Sequence, residues 1–232
     1  MTYHVFLLEE WEMQEQEQIA LEGLLPQKEQ EKVQAKGKRG YRQSLLGRLL
    51  MHFALWQVLG AGAAIAYTAK GKPVVFPAPG QGELFVSCTH TKGLIAAAAG
   101  FAPLGLDGEA LGPCRQRVAG RLFADEEQAA IARAQNPGEA FTLIWALRES
   151  FGKMTGDGVL HVPAAVFSPY KAKNPSLCSR GDVFSAAWVE QGKWALALSA
   201  GAPGEICCRQ VSRKEFLAWL KREGQEIKFV VK

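Results

Sequence analysis

The chain of 232 residues is 48% hydrophobic and 22% charged, the balance of a globular protein with one large core or two smaller ones. Its formal net charge of +4 is too small to argue for nucleic acid as a main partner, yet leaves room for a local cationic pocket. No apolar run approaches a membrane span, and five cysteines without C-x-x-C spacing suit neither a disulfide framework nor a zinc site. With no basic segment and apolar core at the start, no secretion signal is expected. A reduced, cytoplasmic protein with no membrane partner is the expectation.

Residues 3–8 spell a strand, buried on both faces or lying at a sheet edge. Glu9–Glu31, rich in Glu and Gln, predicts short helices and a loop. Lys28, Lys32, Lys36, Lys38, Arg39, Arg42 and Arg48 follow in close order. They make either a solvated helix face or a docking surface for phosphate. From Tyr41 to Leu59 apolar residues recur at helical spacing, closed by Gly60. Ile65–Thr68 predicts a brief strand. Gly71 and Pro73 then set a turn that would hold Lys72 in a defined, exposed position, and the residues up to Gly82 read as loop. Leu84–His90 and Leu94–Ala99 predict a hairpin, with Thr89 and His90 at its polar end.

Pro103 opens an extended stretch through Gly105-Leu106-Asp107-Gly108-Glu109. Side chains two apart on a strand share a face, so Asp107 and Glu109 stand side by side. Adjacent anions repel unless a cation lies between them or one is protonated. Oxygen ligands of this kind suit a hard ion, Mg2+ where phosphates complete its shell. Arg115–Phe123 predicts a short helix, and Asp125 with Gln128 a capping pair for another through about Ala134. Asn136-Pro137-Gly138 reads as a turn. Phe141, Ile144, Trp145, Leu147 and Phe151 form the apolar face of a helix bearing Glu149 and Lys153, which share a face at i, i+4. The remainder predicts strands at Val162–Phe167, Val183–Val189, Trp194–Ser199 and Ile206–Val211. Gln191-Gly192 is a hairpin turn, and a final helix is capped by Ser212 and Glu215. Both halves offer strands and one long helix.

The motifs Gly71-Lys72-Pro73, Ser87-Cys88-Thr89-His90, Gly105-Leu106-Asp107-Gly108-Glu109, Arg121-Leu122-Phe123 with Glu127, and Trp145 with Arg148-Glu149-Ser150, Lys153 and Gly156-Asp157-Gly158 occur in one order. In that order the chain resembles the Sfp-type 4′-phosphopantetheinyl transferases over roughly residues 20–165. The resemblance implies an α+β fold of two similar, pseudo-twofold α/β halves, each a small mostly antiparallel sheet packed on a long helix. Residues 1–103 would form the N-terminal half, with the coenzyme A nucleotide contacts. Residues 104–232 would carry the metal site and the catalytic helix. Coenzyme A and Mg2+ would bind in the cleft between halves, and the phosphopantetheine arm would pass to a serine of an apo acyl- or peptidyl-carrier protein.

Carried over, Asp107, Glu109 and Glu149 would be the metal ligands. Glu149 and Lys153 would be catalytic, with Lys153 on the transferred phosphate and Glu149 or a metal-bound water as base. Lys28, Arg39, Arg42, Ser44, Lys72, Thr89, His90, Asp107 and Lys153 would hold coenzyme A, and a monomer is expected. Three departures stand out: Gly108 where the family has an aliphatic residue, Thr89 for serine, and Arg148 for lysine. Two alternatives remain, a non-catalytic relative that binds coenzyme A or carrier protein and an unrelated Mg-dependent phosphohydrolase.

Overall fold

A computed structural model describes residues 1–162, 177–180 and 182–229. The chain divides into two compact units, one formed by Tyr3–Phe101 with Cys207–Lys232 and the other by Met1–Thr2 with Ala102–Ile206. The protein is α+β.

In the first unit, strands β1 (Thr2–Glu9), β4 (Phe85–Thr91), β5 (Leu94–Gly100) and β10 (Glu205–Val211) form a sheet in the order β10-β1-β5-β4. β5 pairs antiparallel with both β1 and β4. The long helix α3 (Gly37–Leu59) packs on this sheet. Its Leu45, Leu49 and Phe53 share a core with Ala97 and Ala99 of β5, and the small alanines let the helix come close. Gly60, at φ 69°, ends α3 in the left-handed conformation that the sequence signalled.

Helices α1 (Glu15–Glu22) and α2 (Gln27–Gln34) precede α3. A separate hairpin, β2 (Ala64–Tyr67) with β3 (Pro73–Phe76), follows it. β3 falls in a stretch that the sequence placed outside any strand: Pro73 occupies its first position, where a missing N–H does least harm. The last helix, α7 (Arg213–Phe229), starts where Ser212 Oγ accepts from the Glu215 N–H at 3.1 Å. Its Phe216, Trp219 and Leu220 complete the core around Phe53, with the Trp219 ring edge-on to Phe53 at 5.1 Å. β10 and α7 therefore join the sheet and core of the first unit, whereas the sequence division at 103/104 had assigned them to the second half. Strand pairing over such a separation leaves no local trace in the sequence.

In the second unit, β6 (Leu104–Ala110), β7 (Cys178–Arg180), β8 (Val183–Glu190) and β9 (Trp194–Ala200) form an antiparallel sheet ordered β6-β9-β8-β7. Gln191 and Gly192 both have positive φ, 50° and 66°, as a tight β8–β9 turn requires. The strand expected at Val162–Phe167 lies, beyond Val162, outside the described residues.

Helix α6 (Pro137–Thr155) packs on β6 and β9. It begins one turn before its apolar face. Asn136 is its cap, Oδ1 accepting from the Glu139 N–H at 3.1 Å, and Pro137 takes the first helical position. Asn-Pro-Gly, read as a turn, is thus a helix start. Between β6 and α6 lie α4 (Gln116–Leu122) and α5 (Asp125–Arg133). The expected Asp125–Gln128 capping pair gives way to Glu127, whose carboxylate accepts from the Ala124 N–H at 2.8 Å; Gln128 donates instead to the Phe123 carbonyl at 2.9 Å.

Candidate active site

Gly105, Asp107 and Glu109 alternate onto one face of β6, and α6 runs antiparallel along that face. A Cβ on Gly105 would lie 2.0 Å from the Ser150 carbonyl oxygen and 2.4 Å from the Met154 nitrogen. Glycine is therefore what lets helix and strand touch backbone to backbone. Ser150 and Ser199 of β9 join hydroxyls at 2.8 Å in the same contact, and Ser150 donates onward to the Leu147 carbonyl. Two residues along β6, Asp107 Oδ1 accepts from Lys153 Nζ at 2.7 Å, and two further on, Glu109 Oε1 accepts from the Trp145 indole N–H at 3.2 Å. Gly108 keeps its place in the ladder opposite Leu196, so the glycine does not break the strand.

The electrostatics follow from this crowding. Asp107 is buried, and Glu109, Glu149 and Lys153 are half-buried. Burial first, then the Asp107 charge, pushes the Glu109 carboxyl above its ordinary range; Trp145, Arg115 and Lys153 oppose the rise. Burial and Asp107 likewise push Glu149 up, with Glu109 adding to the rise and Lys153 opposing it. The three acids that sequence reasoning singled out thus feel one another across β6 and α6. A pocket lined by Arg115, Phe141, Thr142 and Trp145 opens beside Glu109.

Half-buried, mutually repelling carboxylates gain most from a cation, and their all-oxygen donor chemistry fits a hard divalent ion. As the side chains stand, no three His, Cys, Asp or Glu groups among the described residues are placed to hold a metal ion. Lys153 is the cation now on Asp107.

The remaining candidates all belong to the first unit. Lys28 is exposed on α2. Arg39 lies in α3, with its side chain outside the described residues. Arg42 is held at 2.7 Å by both Glu10 and Glu12. Ser44 is buried in α3. Lys72 sits in the β2–β3 turn and is half-buried, not exposed as expected; Thr68 closes the turn by hydrogen bonds to the Lys72 main chain. On β4, Thr89 is buried and His90 exposed, so strand alternation puts the two on opposite faces.

Sequence reasoning missed two supports of this site. Trp145 was read as part of the apolar face and of the motif around Glu149, with no contact of its own to the acids, yet its indole N–H holds Glu109. Arg148 turns away from the carboxylates and is buried. It contacts both Glu127 oxygens at 3.3 and 3.0 Å, lies 5.6 Å over the Phe123 ring and reaches the Val162 carbonyl. The pair ties α6 to α5, which carries Glu127.

Residues 103–199, the stretch spanning β6 and α6, match the 4′-phosphopantetheinyl transferase superfamily. The chain resembles members of that superfamily, as its motifs indicated. It is 31% identical over 123 residues to a Bacillus pumilus protein named 4′-phosphopantetheinyl transferase psf-1, covering 51% of this chain and 52% of that one. It is 28% identical over 137 residues to a Bacillus subtilis 4′-phosphopantetheinyl transferase, covering 56% of this chain and 59% of that protein. The chain spans about half the length of the curated relatives it matches.

Proposed function

We propose that this protein transfers the 4′-phosphopantetheine arm of coenzyme A to a serine hydroxyl of an apo acyl- or peptidyl-carrier protein. Adenosine 3′,5′-bisphosphate leaves as the P–O bond to the serine oxygen forms. The observation that carries the reading is the electrostatic coupling of Asp107 and Glu109 on β6 with Glu149 on α6, beside Lys153. The superfamily match over the same elements supports it.

Asp107, Glu109 and Glu149 would hold Mg2+, which when bound neutralises the charge of the diphosphate. Glu149, its carboxyl raised by burial and by Asp107, takes the proton of the attacking serine. Lys153, released from Asp107, meets the transferred phosphate. Lys28, Arg39, Arg42 and Lys72 supply positive charge for the nucleotide phosphates, and His90 reaches the 3′-phosphate from the exposed face of β4. Ser44 completes the nucleotide pocket, and the Thr89 hydroxyl pairs with His90 on the 3′-phosphate. Two pseudo-twofold halves, activity as a monomer and a cytoplasmic setting complete the proposal.

The test is incubation with coenzyme A, Mg2+ and an apo carrier protein, followed by mass spectrometry of the carrier. A gain of one phosphopantetheine is expected. Coenzyme A binding without a mass gain would instead mark a binding relative. Release of inorganic phosphate from simple esters in the absence of carrier would mark a phosphohydrolase.

A further inference from the structure

Among the described residues, the most buried acid of the first unit takes no part in the chemistry above. Glu29 of α2 is 1% exposed. Its Oε2 lies 3.3 Å from Nε2 of His52, itself buried on α3, and its Oε1 accepts from the Tyr67 hydroxyl at 3.1 Å. The Tyr67 ring is flanked by the Arg48 guanidinium at 4.8 Å and the Lys32 ammonium at 5.1 Å. Burying a carboxylate costs more than an apolar side chain of the same volume would, so such a cluster is a device for fixing geometry rather than for stability.

What it fixes can be read from the three elements it joins. Glu29 follows Lys28 on α2. His52 and Arg48 lie on α3, the helix of Arg39 and Arg42. Tyr67 is the last residue of β2, directly before the turn that carries Lys72. That turn is closed by Thr68 N–H to the Lys72 carbonyl at 2.9 Å, Gly71 N–H to the Thr68 carbonyl at 2.9 Å, and Lys72 N–H to Thr68 Oγ1 at 3.1 Å. Those three bonds close the turn upon itself. The β2–β3 hairpin forms a two-stranded sheet of its own, and a lone hairpin is at best marginally stable in water. Its placement depends on side-chain anchors, among them Ile65 and Val75 in the core and, at the end of β2, Tyr67 on Glu29.

We propose that Glu29 is a positioning residue. By clamping Tyr67 against α2 and α3 it sets the place of the Lys72 turn, and through it the affinity for the phosphates of coenzyme A. The second half of this statement rests on the function proposed above; the first half does not.

The test uses Tyr67→Phe, which deletes one hydroxyl and keeps the ring between Arg48 and Lys32, and Glu29→Gln, which keeps an acceptor for Tyr67. Hydrogen exchange on the protein alone reads the clamp. Tyr67→Phe should speed exchange of the Gly71 and Lys72 amides by about fivefold, the worth of one hydrogen bond, with α3 unchanged and Glu29→Gln nearer wild type. Titration and kinetics read the consequence. KM for coenzyme A should rise by a similar factor in Tyr67→Phe, while kcat and KM for the carrier stay within about twofold. Unchanged exchange at Gly71 and Lys72 would overturn the clamp. A looser turn with unaltered coenzyme A affinity would overturn its role in binding. A wild-type protein that binds no coenzyme A would overturn the functional reading and leave the clamp to be judged by exchange alone.

Discussion

Glu109 and Glu149 are held in conflict with their own charges. Both carboxyls are raised by burial and by Asp107. A raised carboxyl favours the folded state while protonated, and that contribution is lost as pH rises through the folded value. Without a divalent cation, stability should therefore decline from mildly acidic toward neutral pH. Glu149→Gln, which cannot ionise, should melt higher than wild type at neutral pH by calorimetry, yet lose transfer by about a hundredfold or more. Trp145 acts on the same balance, since its hydrogen bond lowers Glu109 against the other influences. Trp145→Phe should move the acidic limb of the pH–rate profile upward and reduce kcat/KM by on the order of tenfold, the worth of a hydrogen bond to a charged group. An unmoved limb would show that Glu109 does not govern it.

Among elements, the contact of α6 with β6 decides whether the acids meet. Gly105 leaves no room for a Cβ against the backbone of Ser150 and Met154. Gly105→Ala should push the helix off the strand, cost about 1–3 kcal/mol in chemical denaturation and depress transfer disproportionately. Retained stability with full activity would mean that the helix tolerates the shift. That Asp107 and Glu109 share one face of β6, and Glu149 and Lys153 one face of α6, was legible in the sequence because period-2 and i, i+4 spacing fix faces within one element. Which face meets which was not. The approach at Gly105, the Ser150–Ser199 bond and the Arg148–Glu127 clamp join residues from 21 to 49 positions apart.

At the scale of the molecule, β10 and α7 return to the first unit and complete the core around Phe53. Ending the chain after Gly204 should strip amide protection from β1 and α3, although every proposed metal ligand lies elsewhere in the sequence. Hydrogen exchange would report this, and intact protection in α3 would show that Phe216 and Trp219 are dispensable to that core.

Most of the strands and helices, though not β3 or β7, and the α+β class follow from the sequence itself, since periodicity, caps and turns are local properties of the chain. The tertiary structure alone decided that Thr89 is buried while His90 is exposed, that Arg42 is engaged by Glu10 and Glu12, and that Glu29 is sunk into the core. It also decided that the C-terminal strand and helix belong with the first sheet. Each of these depends on which distant surfaces exclude water together, and that is settled only when the elements pack.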